Sequence, residues 1–388
     1  MNRRRTIGSA KPKDAAGLTE SETRCCDGPI SSNESNTCCT RPSWVTGYLQ
    51  TAAGGVPSVT TRLRLRDHLG ACVVRCGIRR MRYRVKPGLY AVGACGPESP
   101  VFVSANYKMS FDRLRSELGG IDAWVVVLDT RGVNVWCAAG KGTFGTDELV
   151  NSIEQTRLSE IVSHRNLIVP QLGATGVCGR EVKLRTGFSV VFGPVRAEDI
   201  PRFIEAGMVS TPEMRRVRFA LRDRLVLIPT ELMIFGKFIV LIAAIHILVI
   251  RFGTGLFSAD NPQSANVSAI LLKYGLFLAA LGITPALLPW LPGRSFALKG
   301  AWVGIALALA LVGYELACPE PFDIWPTAIA LLFLISAGVS FCAMLFTGAS
   351  TYTSFSGVRR EMRIAVPIQF AAAIFGVALL VAKNFLGT

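Results

Sequence analysis

A single thiol lies in a stretch of small residues and suggests a ligand site. In "RGVNVWCAAGKG", residues 131–142, Cys137 follows the indole of Trp136 and precedes two alanines, a glycine and Lys141. Small side chains let a backbone approach a large flat ligand closely, and a thiolate is a soft donor that prefers cobalt, copper, zinc or iron. Lys141, or a local helix N-terminus, would favour the deprotonated thiol. The stretch is a candidate metal or cofactor site, and a buried structural cysteine in a tight turn is the alternative.

Two other catalytic motifs do not fit this stretch. A phosphate-binding P-loop needs glycine where Val135 stands and serine or threonine where Gly142 stands. A thiol hydrolase needs a histidine base, and the chain before residue 230 offers only His68 and His164, neither in a recognisable nucleophile context. Surface or packing roles explain both histidines better, so the cysteine is not predicted to be a hydrolase nucleophile.

Alternating strand and helix patterns must position the thiol. The segments "PVFVSAN" and "DAWVVVLDT" predict strands, "SFDRLRSEL" and "TDELVNSIEQT" predict helices, and "NLIVPQLGATGV" predicts a strand entering a Gly-rich loop. "ACVVRCGI" and "YAVGAC" are also strand-like. This alternation is typical of an α/β domain with a mostly parallel sheet, whose ligands bind at the carboxyl ends of the strands. Because the cysteine stretch and "PQLGATGV" both follow strands, we expect both at that edge.

The chain is 50% hydrophobic, and the excess lies almost entirely after residue 230. Each apolar run there is about long enough to cross roughly 30 Å of hydrocarbon as a helix. The sequence therefore predicts an all-α membrane domain of five transmembrane helices, at residues 232–250, 270–291, 298–316, 325–346 and 364–382.

Loop charges predict the orientation of these helices. The segment before the first helix is rich in arginine, whereas the third connection, "YELACPEPFDIW", has acids and no Lys or Arg. We therefore expect a multi-pass protein of the inner (cytoplasmic) membrane, with the α/β domain in the cytoplasm and the C-terminus outside. Much of the net charge of +15 is then explained by attraction to an anionic membrane face, and no nucleic-acid partner is predicted.

Composition divides the chain into four predicted parts. Residues 1–40 form a disordered tail, 41–205 the α/β domain, 206–230 a basic juxtamembrane linker, and 231–388 the five-helix domain. Most of the eleven cysteines then face a reducing compartment, where structural disulfides are unusual. Doubled cysteines in the tail fit neither a zinc ribbon nor an iron–sulfur spacing, and they are Cys25, Cys26, Cys38 and Cys39.

The segment "NVWCAAGK", residues 134–141, resembles the cap-helix signature of the membrane-bound corrinoid protein family of microbial mercury methylation. The stretches that begin "VFVSANYK", "VVVLDTRG" and "VPQLGATG" are similar to the corrinoid domain shared with the large subunit of the corrinoid iron–sulfur protein. Five membrane helices after that domain also match the mercury family. The resemblance runs from about residue 41 to the end and leaves the tail unassigned.

This resemblance implies a Rossmann-like α/β fold that binds a cobalamin-type corrinoid in a base-off state. Cys137 would be the lower axial cobalt ligand and the catalytic residue. The residues implied to form or support the cofactor site belong to three segments, and they are Asn106, Asn134, Val135, Trp136, Cys137, Ala138, Ala139, Gly140, Lys141, Gln171, Leu172, Gly173, Ala174, Gly176 and Val177.

The implied function is that of a corrinoid-dependent methyltransferase, which passes a methyl group from cobalt to Hg(II) and forms methylmercury. The implied partners are a ferredoxin-like protein with two 4Fe–4S clusters as electron donor and a methyltetrahydrofolate-linked methyl donor. Two alternatives stay open, a corrinoid methyl carrier of one-carbon metabolism in the acetyl-CoA pathway and a membrane transporter or sensor. Transport usually leaves ionisable groups within the spans, and here the candidates are few, among them His246, Lys273 and the thiol Cys342.

Overall fold

The computed structural model describes residues 42–252, 267–317, 324–349 and 355–386. The predicted tail, with Cys25, Cys26, Cys38 and Cys39, lies outside the described residues. So do most of the first and third connections between the membrane helices.

A seven-stranded mixed sheet forms the first part of the described chain, in the order β1-β2-β3-β5-β4-β6-β7. Strands β5, β4, β6 and β7 are parallel, whereas β3 runs antiparallel to β5 and parallel to β2. The predicted α/β class is confirmed, and the sheet is mixed at β3. The strands are β1 (Val45–Thr51), β2 (Gly54–Val59), β3 (Gly88–Val92), β4 (Val101–Ala105), β5 (Ala123–Leu128), β6 (Asn166–Val169) and β7 (Ser189–Phe192).

Within the described residues, eight shorter helices precede the long apolar ones. They are α1 (Leu65–Arg75), α2 (Lys108–Glu117), α3 (Val135–Lys141), α4 (Thr146–Gln155), α5 (Leu158–Ile161), α6 (Gly179–Thr186), α7 (Ile200–Glu205) and α8 (Leu221–Leu225). Helix α3 carries the candidate thiol and begins shortly after β5 ends. Helix α8 lies within the segment predicted as a basic linker.

The predicted strand in "ACVVRCGI" is wrong, because Ala71 to Arg75 belong to helix α1. The Asp67 carboxylate accepts the Arg64 amide proton at 3.0 Å at the start of this helix. Asp67 also pairs with Lys108 and Arg115 of α2. These tertiary contacts hold the first turn helical and override the strand propensity of two adjacent valines.

A fully buried cation of α2, Arg115, connects three segments. Arg115 is 0% exposed, and its guanidinium pairs with Asp112 at 2.8 Å and with Asp67 at 3.0 Å. It also donates to the Thr60 carbonyl at 2.5 Å. Arg115 therefore ties α2 to α1 and to the segment that follows β2.

The apolar core lies between the sheet and helices α3 and α4. Strand β5 is buried along its whole length, as its run of Val and Leu predicts. Side chains of this core include Val126, Leu128, Ala138, Phe144 and Leu149. Because α3 packs on this core through its alanines, the position of the cysteine helix depends on the sheet.

Five long apolar helices make up the rest of the described chain, and each is long and apolar enough to cross a membrane. The predicted membrane helices are confirmed at this level, and their orientation stays a prediction. Their bounds are α9 (Ile228–Phe252), α10 (Val267–Leu287), α11 (Phe296–Ala317), α12 (Ile324–Ala349) and α13 (Phe355–Leu386). The Arg224 guanidinium donates to the Pro285 carbonyl of α10 at 3.1 Å, and the Thr230 hydroxyl of α9 donates to the Arg75 carbonyl of α1.

Candidate functional site

A cleft opens where the strand order reverses. The chain passes from β4 to β5 on one side and from β6 to β7 on the other, so the switch point lies between β4 and β6. Open α/β sheets bind ligands outside the carboxyl ends of their strands at such a point. A cleft of about 700 Å³ lies there, lined by Tyr107 after β4, Asn134 after β5, Leu172 after β6 and Val195 after β7.

Asn106 organises the turn that leads from β5 to the cysteine helix. It is buried, and its Nδ2 donates to the Asp129 carboxylate at 2.8 Å. Its Oδ1 accepts from the amides of Thr130 at 3.2 Å and Gly132 at 2.9 Å. The Thr130 hydroxyl lies 2.9 Å from the same oxygen. The structure thus places Asn106 as the anchor of the turn before α3.

Helix α3 begins with a side-chain cap. Asn134 has an extended backbone, with φ −65° and ψ 160°, and its Oδ1 accepts the Cys137 amide proton at 3.0 Å. Asparagine at this position satisfies an amide that the first helical turn leaves without a partner. The cap therefore fixes the backbone of Cys137 itself.

Removal of this cap should loosen the cysteine helix. We expect Asn134→Ala to lower the free energy of unfolding by about 1 kcal/mol, because the Cys137 amide loses its acceptor. Asn134→Ser, which keeps a capping oxygen, should retain most of that stability. Urea denaturation followed by circular dichroism measures both changes. Equal loss in the two variants would show that the cap hydrogen bond contributes nothing.

The Cys137 thiol is half-buried. Burial raises its pKa above the ordinary cysteine value, and the charges of Arg80 and Lys141 and a hydrogen bond with Asn134 act in the opposite direction. Lys141 thus lowers the pKa of the thiol, as predicted, but burial raises it by more. The ligand-free thiol is therefore protonated near neutral pH.

Some of the predicted cofactor residues line the cleft or are exposed, and others are packed in the core. Asn134, Val135, Trp136 and Leu172 line the cleft. Cys137 does not line the cleft, but the two residues before it in α3, Val135 and Trp136, do. Gly140 and Lys141 are exposed, and Gln171 lines an adjoining hollow with Phe192 and Ser210.

The other predicted residues pack beneath the cleft. Ala138 is 0% exposed and Ala139 5%, Val177 belongs to the same core, and Ala174 is half-buried. The glycines of the "LGATG" loop lie directly against this core. A Cβ on Gly173 would lie 2.5 Å from the Phe144 ring, and one on Gly176 would lie 2.2 Å from the Phe144 carbonyl oxygen. Close packing of the loop on α3 thus requires both glycines.

Gly176→Ala should be strongly destabilising, because the added methyl group meets backbone atoms of Phe144 and Ala139 that cannot rotate away. We expect a loss of about 1–3 kcal/mol in the free energy of unfolding, typical of overpacking. Gly96→Ala is a matched control, since a Cβ there meets nothing within 4 Å. Thermal unfolding of both variants measures the difference, and equal midpoints would contradict the packing argument.

Three residues around the cleft and the thiol were not predicted from the sequence. Tyr107 and Arg75 line the cleft. Among the charges that lower the pKa of the Cys137 thiol, Arg80 has the largest effect. The Arg75 Nε is buried and has no hydrogen-bond acceptor among the described residues. Tyr107 follows Asn106 directly after β4, a position that could have suggested it. Arg75 lies in the segment that was wrongly predicted as a strand, and a strand there would not have placed it at the cleft.

The part of the chain that forms most of the cleft is similar to known proteins. The family described as CO dehydrogenase/acetyl-CoA synthase delta subunit matches residues 79–204. Every predicted cofactor residue lies within that range. Residues 79–204 belong to a domain related to corrinoid protein subunits.

Two similar proteins illustrate the relationship. An acetyl-CoA decarbonylase/synthase complex subunit gamma of Archaeoglobus fulgidus is 34% identical over 128 residues, which are 32% of this chain and 27% of that protein. The corrinoid/iron-sulfur protein large subunit of Moorella thermoacetica is 28% identical over 129 residues, 33% of this chain and 28% of that protein. The chain therefore spans about a quarter of the length of these relatives, and its membrane helices lie outside residues 79–204, which the family matches.

Proposed function

We propose that the α/β domain binds a cobalamin-type corrinoid in a base-off state, with Cys137 as the lower axial ligand of cobalt, and that the protein is a corrinoid-dependent methyltransferase. The observation that supports this most is the place of Cys137. It lies in a capped helix beside the switch-point cleft, within a domain related to corrinoid protein subunits.

The residues present suit a large, mostly apolar ligand with a soft metal. Ligand sites commonly occupy about 300–1,000 Å³ and combine apolar walls with a few polar groups, and this cleft has about 700 Å³. Phe102, Val103 and Leu172 supply apolar surface, and Tyr107 and Asn134 supply polar groups. Cys137 adds the soft donor at the adjoining helix.

Each residue of the site has a distinct task in this proposal. A corrinoid, when bound, supplies a metal that carries and releases a methyl group. Cys137 provides the thiolate, and Asn134 holds the amide of the same residue. Arg80 and Lys141 favour the thiolate electrostatically. Asn106 keeps the preceding turn in place, so that the thiol is positioned before the cofactor arrives.

Binding through sulfur should release a proton. Because burial raises the pKa of the Cys137 thiol, the free protein holds the proton that the ligand must lose. The affinity for a sulfur-coordinated corrinoid should therefore rise about tenfold per pH unit up to that pKa. Calorimetry in two buffers of different ionisation enthalpy counts the proton. Cys137→Ala should show no proton release, and release in that variant would assign the proton to another group.

Two methyl acceptors are candidates, and different observations favour them. The comparisons favour one-carbon metabolism, since the relatives are named as acetyl-CoA decarbonylase/synthase and corrinoid/iron-sulfur protein subunits. The thiol favours Hg(II), because a strongly donating thiolate suits transfer of methyl to a soft electrophilic cation. The resemblance of "NVWCAAGK" to the mercury-methylation family and the five apolar helices support the same acceptor.

The partners of the reaction belong to the same proposal. The resemblance supports a ferredoxin-like electron donor with two 4Fe–4S clusters and a methyltetrahydrofolate-linked methyl donor. Positive charge before α9 supports a cytoplasmic α/β domain at the inner membrane.

An anaerobic competition assay separates the two acceptors. The full chain, loaded with methylcobalamin, receives either Hg(II) or the demethylated folate donor, and free methylcobalamin at the same concentration is the control. Methylmercury formed faster than in the control supports mercury methylation. Methyl exchange with the folate alone supports the one-carbon carrier, and the absence of corrinoid binding would overturn both and favour the transporter or sensor.

A further inference from the structure

A carboxylate lies buried among the membrane helices. Glu231, in the first turn of α9, is 5% exposed. No hydrogen-bond donor and no cationic side chain contacts its carboxylate within the described ranges. An ionised carboxylate removed from water is costly unless a cation or donors compensate it. Ionisable groups inside membrane domains commonly mark functional sites.

Glu231 faces a small cavity that is also lined by a thiol. The polar side chains that line it are Glu231, Thr284 of α10 and Cys342 of α12, and the apolar side chains include Phe235, Leu281 and Phe346. The cavity has a volume of about 10 Å³, room for one atom-sized occupant such as a water molecule or an ion. The Glu231 carboxylate lies close enough to act electrostatically on the Cys342 thiol.

The oxygen atoms around this cavity are acceptors rather than donors. The Thr284 hydroxyl donates its proton to the Ala280 carbonyl at 2.6 Å, so its lone pairs face away from that bond. Pro285 lies inside α10 and has no amide proton, which leaves the Leu281 carbonyl without its intrahelical donor. A cavity with a carboxylate, a thiol and acceptor oxygens suits a cation better than an anion.

We propose that Glu231 and Cys342 are ligands of a single thiophilic divalent cation in the membrane domain. The sulfur selects soft or borderline ions over Mg²⁺ and Ca²⁺, and the carboxylate balances the charge. Binding forms one metal–sulfur and at least one metal–oxygen bond, and the thiol proton passes to solvent. The site is separate from the cleft and does not require the corrinoid proposal.

Cadmium(II) is a suitable probe, because its thiolate bond absorbs in the ultraviolet. The full chain in lipid nanodiscs, with serine at ten of its eleven cysteines and Cys342 retained, is titrated with Cd(II) alone. One saturable equivalent is expected, and Glu231→Gln should weaken its binding about tenfold or more, since loss of a supporting group alone costs 10–100-fold at metal sites. Glu160→Gln, an exposed carboxylate, is the matched control and should change nothing.

If the chain with ten serines does not fold, a second measurement uses the chain with its native cysteines. Cd(II) should raise the thermal midpoint of the parent more than that of Glu231→Gln or Cys342→Ser, and the double variant should lose no more than either single variant. Additive losses, or equal affinity in Glu231→Gln and the parent, would overturn the proposal. Cys137→Ala should keep the full effect of Cd(II), which separates this site from the corrinoid site.

Discussion

Replacement of Cys137 by alanine is expected to abolish sulfur coordination of the bound corrinoid and to lower methyl transfer by about 100-fold or more, since loss of a supporting group alone costs 10–100-fold at metal sites. The side chain is half-buried and its amide hydrogen bond to Asn134 persists in the variant. The fold and the cleft should therefore survive. The visible spectrum of the loaded protein and the yield of methylmercury measure the two effects.

Cys178→Ala is the matched control for this prediction. Cys178 is an exposed thiol of the same domain, so its loss should leave both the spectrum and the yield unchanged. Equal yield from the parent and Cys137→Ala, with corrinoid bound to both, would mean that free methylcobalamin chemistry explains the product. A sulfur-ligated spectrum that persists in Cys137→Ala would assign the ligand to another cysteine.

Arg115→Met is expected to be strongly destabilising, at about 3–5 kcal/mol, because it removes the buried guanidinium between two buried carboxylates and leaves Lys108 as the cation paired with both. Arg115 is 0% exposed and pairs with Asp67 and Asp112. Burial by itself would raise the pKa of Asp67, but Lys108, the Arg64 amide and Arg115 together hold it below the ordinary value. Asp67 is therefore charged at neutral pH. Urea denaturation measures the loss.

Arg113→Met, on the same helix, is the control. Arg113 is 57% exposed and pairs with Glu117 and Glu198, and exposed ion pairs contribute about 0–1 kcal/mol. Adding Asp67→Asn to Arg115→Met should recover part of the stability, since one of the two carboxylates that share Lys108 is then neutral. A loss in Arg115→Met no larger than that in Arg113→Met would contradict the charge-burial argument.

Local patterns in the sequence determined the elements that hold Cys137. The Val-rich run of β5 is a buried strand, and five apolar runs are long helices, because burial of continuous apolar surface leaves few other solutions. The thiol follows β5 directly, so its place at the carboxyl edge of the sheet was also predictable. These are properties of residues close together in the chain.

Contacts between distant residues decided the rest. The valines of α1 favour a strand locally, but Asp67 meets Arg115 of another helix and the segment becomes helical. Asn106 holds the turn before α3, a role that its place in the sequence did not indicate, and its place near the cofactor stays a prediction. The antiparallel β3 was likewise not evident from a pattern of alternating strands and helices.

The composition of the site shows the same division. The sequence by itself determined that a soft donor, small residues and a glycine loop converge after parallel strands. Only the tertiary structure decided that Tyr107 and Arg75 line the cleft, that Gly176 serves packing against Phe144, and that Glu231 shares a cavity with Cys342. The physical reason is that burial and electrostatic environment depend on neighbours far apart in the chain, which no local pattern encodes.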